Sequence, residues 1–183
     1  MIIAKQKRKE NIAEYLLYMW QIEDLIRASS IDRDQIQKNI INQFDQPEEV
    51  RMQIRDWYQN LMAMMERENV KEHGHIQVLH NLLEDVNDLH IALLRTPSQI
   101  QYNSLFFSTV SYLTELRAKE KASPEVSDVE LALNALYGIL LLRLQKREIT
   151  AGTQAAMAQI GKWIAVLSAK YKENEAGSLK LEN

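Results

Sequence analysis

The chain of 183 residues contains no cysteine and few of the residues that break helices. Without cysteine it cannot form disulfides, thiolate metal sites, iron–sulfur clusters or a cysteine nucleophile. Five glycines and three prolines are too few for a chain divided into many strands and turns, so long helices are favoured. No phosphate-binding glycine loop, nucleotide fingerprint or nucleophile elbow occurs. We therefore assign no catalytic residue and expect a protein that is not an enzyme.

The charge of the chain is also unremarkable, with a formal net charge of -3. A dedicated nucleic-acid binder usually carries a basic excess, because its affinity depends on neutralising phosphates. The longest apolar run, Ala135 to Leu142, is far short of the ~20 residues that span a bilayer. No cleavage site follows the basic N-terminus. We expect a cytoplasmic bacterial protein with no nucleic-acid partner and no membrane insertion.

Apolar residues recur at helical spacing along nearly the whole chain, while the alternation typical of strands is almost missing. This pattern predicts an all-α fold, a compact up-and-down bundle of about seven helices. We predict one domain over residues 1–172 and a flexible C-terminal tail over 173–183. The first helix is predicted over about residues 5–28, and its apolar surface is wide enough for a central position.

Four sequence signals predict where helices begin. Capping boxes are predicted at Asp32 and at Ser127, each with its partner three residues later. Pro47 and Pro97 each suit the first turn of a helix, the second following a potential cap at Thr96. The helix that begins at Pro47 is predicted to end near Gly74, because glycine readily adopts a positive φ.

Two segments carry a resemblance to a known family. They are Lys9–Trp20, with the sequence KENIAEYLLYMW, and Ala135–Lys146, with the sequence ALYGILLLRLQK. Over its whole length the chain resembles an uncharacterised bacterial family known only as a domain of unknown function. The resemblance implies a helical, cytoplasmic protein. It implies no activity and no functional residues.

All four histidines lie between His73 and His90. Imidazole and carboxylate side chains together suit zinc, iron or manganese, so His73, His75, His80 and Glu84 form a candidate metal site. Yet bundle di-metal sites carry a Glu-x-x-His pair on each of two helices, whereas this sequence has one such pair, Glu72 with His75, and Gly74 is expected to break the helix between them. The His-Glu-x-x-His protease signature is missing. A solvated polar helix face therefore explains His80 and Glu84 better than a metal, and we expect no cofactor. His90 falls on the apolar stripe and suits a hydrogen-bonded core histidine.

Three acidic residues interrupt the apolar first helix. Glu23 and Asp24 can both pair with Arg27 at the surface. Glu14 is the least explained of the three. If the first helix is central, a buried structural hydrogen bond explains Glu14 better than a catalytic role, since a buried carboxylate must be paired or neutralised.

Two further features suggest close packing or contact with another protein. Gly138 lies in mid-helix on a ridge of small residues, where a neighbouring helix could approach or a pocket could open. Met62, Met64 and Met65 fall in a segment that is apolar around its whole circumference. Methionine adapts to irregular partners, so this helix is either sandwiched inside the bundle or meets a second subunit on its outer side, and of these two we favour the contact with a second subunit.

These features support two functional hypotheses. The first is a non-catalytic helical protein that acts through self-association or by binding a partner protein. The alternative is a helical bundle that binds a metal or small ligand through the histidine segment, residues 72–90. A nucleic-acid regulator that uses the basic N-terminus is the third and weakest.

Overall fold

The computed structural model describes residues 2–181, and these residues are all-α. They form nine α-helices and one short 3₁₀ turn. The helices are α1 (Ile2–Glu10), α2 (Ile12–Ala28), α3 (Arg33–Asn39), α4 (Glu48–Arg67), α5 (Gln77–Arg95), α6 (Ile100–Phe107), α7 (Val110–Glu120), α8 (Asp128–Leu144) and α9 (Ala151–Glu175), and the 3₁₀ turn (Ile41–Gln43) precedes α4. None of the helices in this part of the chain has both the length and the apolar character to cross a bilayer.

The all-α class is confirmed, but the predicted number of helices is too low. Two predicted helices are each divided in two. The first divides at Asn11, which separates α1 from α2; asparagine competes for backbone hydrogen bonds and is a poor helix former.

The second division separates α6 from α7 at Ser108 and Thr109. Both hydroxyls donate to the carbonyl oxygen of Leu105, at 2.7 and 2.8 Å. The amide of Gln159 in turn donates to both hydroxyl oxygens, at 2.9 and 3.3 Å. Side-chain hydroxyls that bond the preceding turn compete with the helical hydrogen-bond ladder, so the helix ends there and restarts.

Of the predicted capping boxes, the cap residues Asp32 and Ser127 are confirmed. The Asp32 carboxylate accepts the backbone N–H of Gln35 at 2.8 Å, and the Ser127 hydroxyl accepts that of Glu130 at 3.1 Å. Each bond satisfies one of the four backbone donors that a helix leaves free at its start.

The predicted cap at Thr96 is wrong. Thr96 donates its hydroxyl to the carbonyl oxygen of Ala92 at 2.8 Å and so completes the end of α5, while α6 begins only at Ile100. The predicted end of the third helix at Gly74 is also wrong. Helix α4 ends at Arg67, and Asn69, with φ +59°, supplies the left-handed residue that ends it.

The described residues form two compact units. The first unit contains residues 2–9 and 14–81, and the second contains residues 10–13 and 82–181. In the first unit α3, the 3₁₀ turn and α4 contact one another. In the second unit α9 contacts α6, α7 and α8, so the longest helix is the one on which the other three pack. It continues to Glu175, past the predicted boundary at residue 172; the flexible tail stays a prediction, and residues 182 and 183 lie outside the described part.

The methionine segment on α4 lies largely in the core of the first unit. Met62 is 4% exposed and Met65 is fully buried, while Met64 is half-buried. The prediction that this segment contacts a second subunit is therefore wrong for Met62 and Met65, because side chains already covered within the unit have no surface left to offer. Methionine here fills an irregular core.

Replacement of Met65 by alanine should lower the free energy of unfolding by about 2–4 kcal/mol, because it removes a fully buried side chain and leaves a cavity. Met64→Ala, on the same helix, should cost less than about 1 kcal/mol. Urea denaturation of both variants measures the difference. Equal losses would contradict the assignment of Met65 to the core.

Candidate functional site

The histidine segment does not assemble into a metal centre. Within residues 2–181 no three His, Asp or Glu side chains meet in an arrangement that could hold a metal ion. His73, His80 and Glu84 are exposed to solvent, whereas His75 is half-buried. The four predicted ligands therefore share a segment of sequence but not a site. His80 and Glu84 lie on the exposed face of α5.

His75 instead contacts a buried carboxylate. Glu23, on α2, is completely buried, and its two oxygens have separate partners. Oε2 lies 2.5 Å from Nδ1 of His75, and Oε1 accepts the backbone N–H of Ile76 at 2.9 Å. A buried carboxylate is tolerated only when donors replace the water it has lost, and these two donors come from the segment just before α5.

Two further contacts fix the same segment. The imidazole of His75 stacks on the indole of Trp20, with 4.5 Å between ring centroids and 14° between planes. Arg27 donates to the carbonyl oxygens of Val70, at 3.1 Å, and Gly74. Helix α2 thus holds the loop between α4 and α5 by a carboxylate, an aromatic ring and a guanidinium.

These positions correct the predictions for the acidic residues of the first helix. Glu14 is exposed, and its carboxylate pairs with Lys7 at 2.9 Å. Arg27 pairs with Asp24 at 2.9 Å, so Glu23 is left to turn inward. The predicted buried carboxylate exists, but it is Glu23 rather than Glu14. Sequence spacing favours Arg27, four residues along the helix, as the partner of Glu23, whereas the partner in the structure is His75, 52 residues away.

Chemically, the Glu23 carboxylate orients an imidazole, as in a general base pair. If His75 donates from Nδ1, its Nε2 is the atom that could accept a proton. However, none of the three cavities described below is lined by His75, and the ring is covered on one face by Trp20. We therefore assign the pair to anchoring the loop.

A second buried polar group lies in the other unit. His90, on α5, is 4% exposed, and it lies in the core where the sequence pattern predicts it. Its Nδ1 is 2.6 Å from the hydroxyl oxygen of Tyr102, and the indole N–H of Trp163 donates to that same oxygen at 3.0 Å. When the tyrosine directs its own proton toward His90, the lone pairs of its oxygen remain for the indole, which can only donate. Nδ1 of His90 is then an acceptor, which requires a neutral imidazole.

Burial disfavours the charged form of both side chains. It lowers the pKa of His90 from 6.5 to about 4, an effect that the negative charge of Asp128 partly opposes. Burial also raises the pKa of Tyr102 above its ordinary value, despite the hydrogen bond from Trp163. His90, Tyr102 and Trp163 therefore form an uncharged network at neutral pH.

Three cavities open at the surfaces of the units. The first, of about 250 Å³, lies in the first unit and has an apolar wall with a lysine at its edge. The second, of about 450 Å³, lies between α7 and the start of α9, and the third, of about 380 Å³, is rich in acidic residues. Gly138 lines none of these three, and a Cβ placed on it would meet no atom within 4 Å. The predicted close helix approach at Gly138 is therefore wrong.

The outer side of α6 exposes large apolar side chains. Ile100 is 72% exposed and Phe107 is 68% exposed. They are seven residues apart in sequence, which places them on the same side of the helix two turns from each other. Ser104, also exposed, lies between them. We call Ile100, Ser104 and Phe107 the α6 face.

Replacement of Glu23 by glutamine should lower the free energy of unfolding by about 1–3 kcal/mol, because the charged acceptor of His75 is lost from a buried position. The loop over residues 68–76 should then exchange its amide hydrogens faster. Glu48→Gln, which makes the same change in the exposed pairs with Arg51 and Arg55, is the control and should cost less than about 1 kcal/mol. Unchanged exchange of the loop in Glu23→Gln would refute the anchoring role.

The low pKa of His90 should make the protein sensitive to acid. Between pH 6.5 and about 4 the unfolded chain binds a proton at this histidine, whereas the folded chain does not. Folding is therefore favoured fully above pH 6.5, and about 3 kcal/mol of that stability is lost as the pH falls toward 4. In His90→Gln this part of the pH dependence should disappear, whereas in His73→Gln, at an exposed histidine, it should remain. Parallel pH profiles for all three proteins would be inconsistent with a neutral buried His90.

Comparison with known proteins identifies the family of this chain. A family model described as "Domain of unknown function (DUF4924)" matches residues 1–178. No curated protein and no solved structure shows a significant match. Since the family model covers nearly the whole chain, this protein is a member of the DUF4924 family.

Proposed function

We propose that this protein is a non-catalytic helical protein that acts through self-association, with the α6 face as the contact. The observation that carries the proposal is the exposure of Ile100 and Phe107 on one side of a short helix. An isolated exposed apolar residue needs no explanation, but paired ones in the same direction indicate a contact site. Val110, 36% exposed at the start of α7, extends the apolar surface beyond the end of α6.

The charge pattern supports a contact between identical chains. From Thr96 to Thr114 no residue is charged, although 26% of the chain is charged. The buried centres of protein interfaces are depleted in charged residues. In a symmetric dimer each patch meets its own copy, so any charge on the two-fold axis would face itself. A surface without charge avoids this repulsion.

The buried side of α6 fixes the orientation of its exposed side. Tyr102 and Phe106 are both buried. Tyr102 is hydrogen-bonded within the second unit, and the ring of Phe106 lies 5.1 Å from that of Trp163. Phe107 is therefore presented outward from a helix whose other side is fixed. A pre-organised surface loses little conformational entropy on binding.

The size of the α6 face limits the strength of the contact. A stable interface buries about 800 Å² on each partner, which is more than the exposed side of one two-turn helix supplies. We expect a dimer that dissociates on dilution, with a Kd on the order of micromolar or weaker. Analytical ultracentrifugation over a range of concentrations, together with native mass spectrometry, measures this directly.

Replacement of Phe107 by glutamate should weaken the dimer at least about tenfold, because a charge would be buried against its own copy. Val78→Glu is the matched control, since Val78 is 51% exposed and belongs to the other unit. It should leave the dimer constant unchanged. A chain that stays monomeric at every concentration, or a dimer that is insensitive to Phe107→Glu, would refute self-association through the α6 face.

A further inference from the structure

The first of the three cavities has a chemistry different from that of the α6 face. It lies in the first unit, and its wall is formed by five apolar side chains: Ile2, Ile3, Phe44, Val50 and Ile54. The polar groups of its lining are Lys5, Gln46 and Gln53. Binding sites for small molecules are mostly apolar with a few polar groups that fix orientation, and this cavity has that composition.

Lys5 is the distinctive member of this lining. Among the described residues it makes no ion pair or hydrogen bond, so its ammonium group is available to a ligand. Three further basic residues, Lys7, Arg8 and Lys9, share α1 with it, against a single acidic residue, Glu10. On the neighbouring α4, the Glu48 carboxylate is already paired with Arg51 at 2.6 Å. Among the described residues Lys5 is the one charged side chain in the lining itself, and a cation at this position favours an anion.

From this arrangement we propose that the cavity binds a medium-chain carboxylate. The apolar wall takes the hydrocarbon chain, Lys5 pairs with the carboxylate, and the amide N–H groups of Gln46 and Gln53 can donate to its oxygens. A single ammonium group matches the single charge of a carboxylate, whereas a phosphate dianion would need more donors. This site is separate from the α6 face and does not depend on self-association.

The volume sets the length of the ligand. At roughly 30 Å³ for each non-hydrogen atom, by analogy with the volume of a water molecule in the liquid, a cavity of about 250 Å³ holds about eight of them. Octanoate fits this size, with its chain inside and its carboxylate at the edge. A sixteen-carbon chain would extend beyond the cavity into water. Octanoate should therefore bind at least as well as hexadecanoate.

Titration of the full chain with octanoate, followed by calorimetry and by amide NMR shifts, tests the proposal. For a ligand of this size a Kd on the order of 1 mM or below is expected. The shifted amides should lie on α1 and on the first half of α4. Octan-1-ol, which has the same chain without the charge, is titrated in parallel.

Two variants separate the parts of the site. Lys5→Gln should weaken octanoate binding about three- to fivefold, as for loss of a partly exposed ion pair, and should leave octan-1-ol binding unchanged. Lys9→Gln removes the same charge from the same helix, outside the lining, and should change neither. Val50→Trp should fill the cavity and weaken both ligands.

Four results would overturn the proposal. The first is octanoate binding that never saturates, and the second is an equal response of Lys5→Gln and Lys9→Gln to octanoate. The third is hexadecanoate binding more tightly than octanoate. The fourth is binding to vesicles of anionic phospholipid without binding to free octanoate, which would assign the basic helix and its apolar side chains to a membrane surface instead. Because the dimer constant is measured on another surface, none of these results bears on self-association.

Discussion

A carboxylate that is removed from water needs hydrogen-bond donors from the protein, and in the first unit the buried carboxylate of Glu23 has this need. Its two oxygens accept hydrogen bonds from Nδ1 of His75 and from the backbone N–H of Ile76, so these contacts fix the position of the end of the loop before α5. Trp20 and Arg27, on the same helix, hold the ring and the carbonyl groups of that loop. The loop between α4 and α5 is therefore fixed by polar contacts as well as by apolar burial. Removal of any one partner would leave another buried polar group unsatisfied, which costs more than the bond itself contributes.

The second unit meets the same problem without charge. His90, Tyr102 and Trp163 are buried together, and each polar atom that joins them is satisfied by a neutral neighbour. A neutral network avoids the desolvation penalty of an ion pair, but it depends on the protonation state of one imidazole. The two units thus differ in the partner of their inward-facing histidine: the half-buried His75 lies beside a carboxylate, and the buried His90 lies beside a phenol.

The α6 face and the cavity beside α1 and α4 are each positioned by the buried core of their own unit. Helix α6 directs Tyr102 and Phe106 inward and Phe107 outward, so the core that orders the helix also orders its exposed side. In the first unit the apolar residues of α1 lie beside those of α4 and leave a cavity whose edge carries Lys5. We propose that both surfaces act in binding, one to a copy of the chain and one to an amphiphilic anion.

The sequence by itself determined the helical class, the capping of α3 and α8 and the burial of His90, because these depend on local periodicity and on bonds between residues three or four apart. It did not determine which acidic residue of α2 is buried. Glu14 and Glu23 have similar local surroundings, and only the packing of the loop before α5 gives Glu23 its distant donors. The division of α6 from α7 likewise includes a contact from Gln159, about fifty residues away. The sequence pattern fits Met62 and Met65 equally well at the surface or in the core, because an apolar helix face does not indicate what packs against it. In the tertiary structure both side chains are buried.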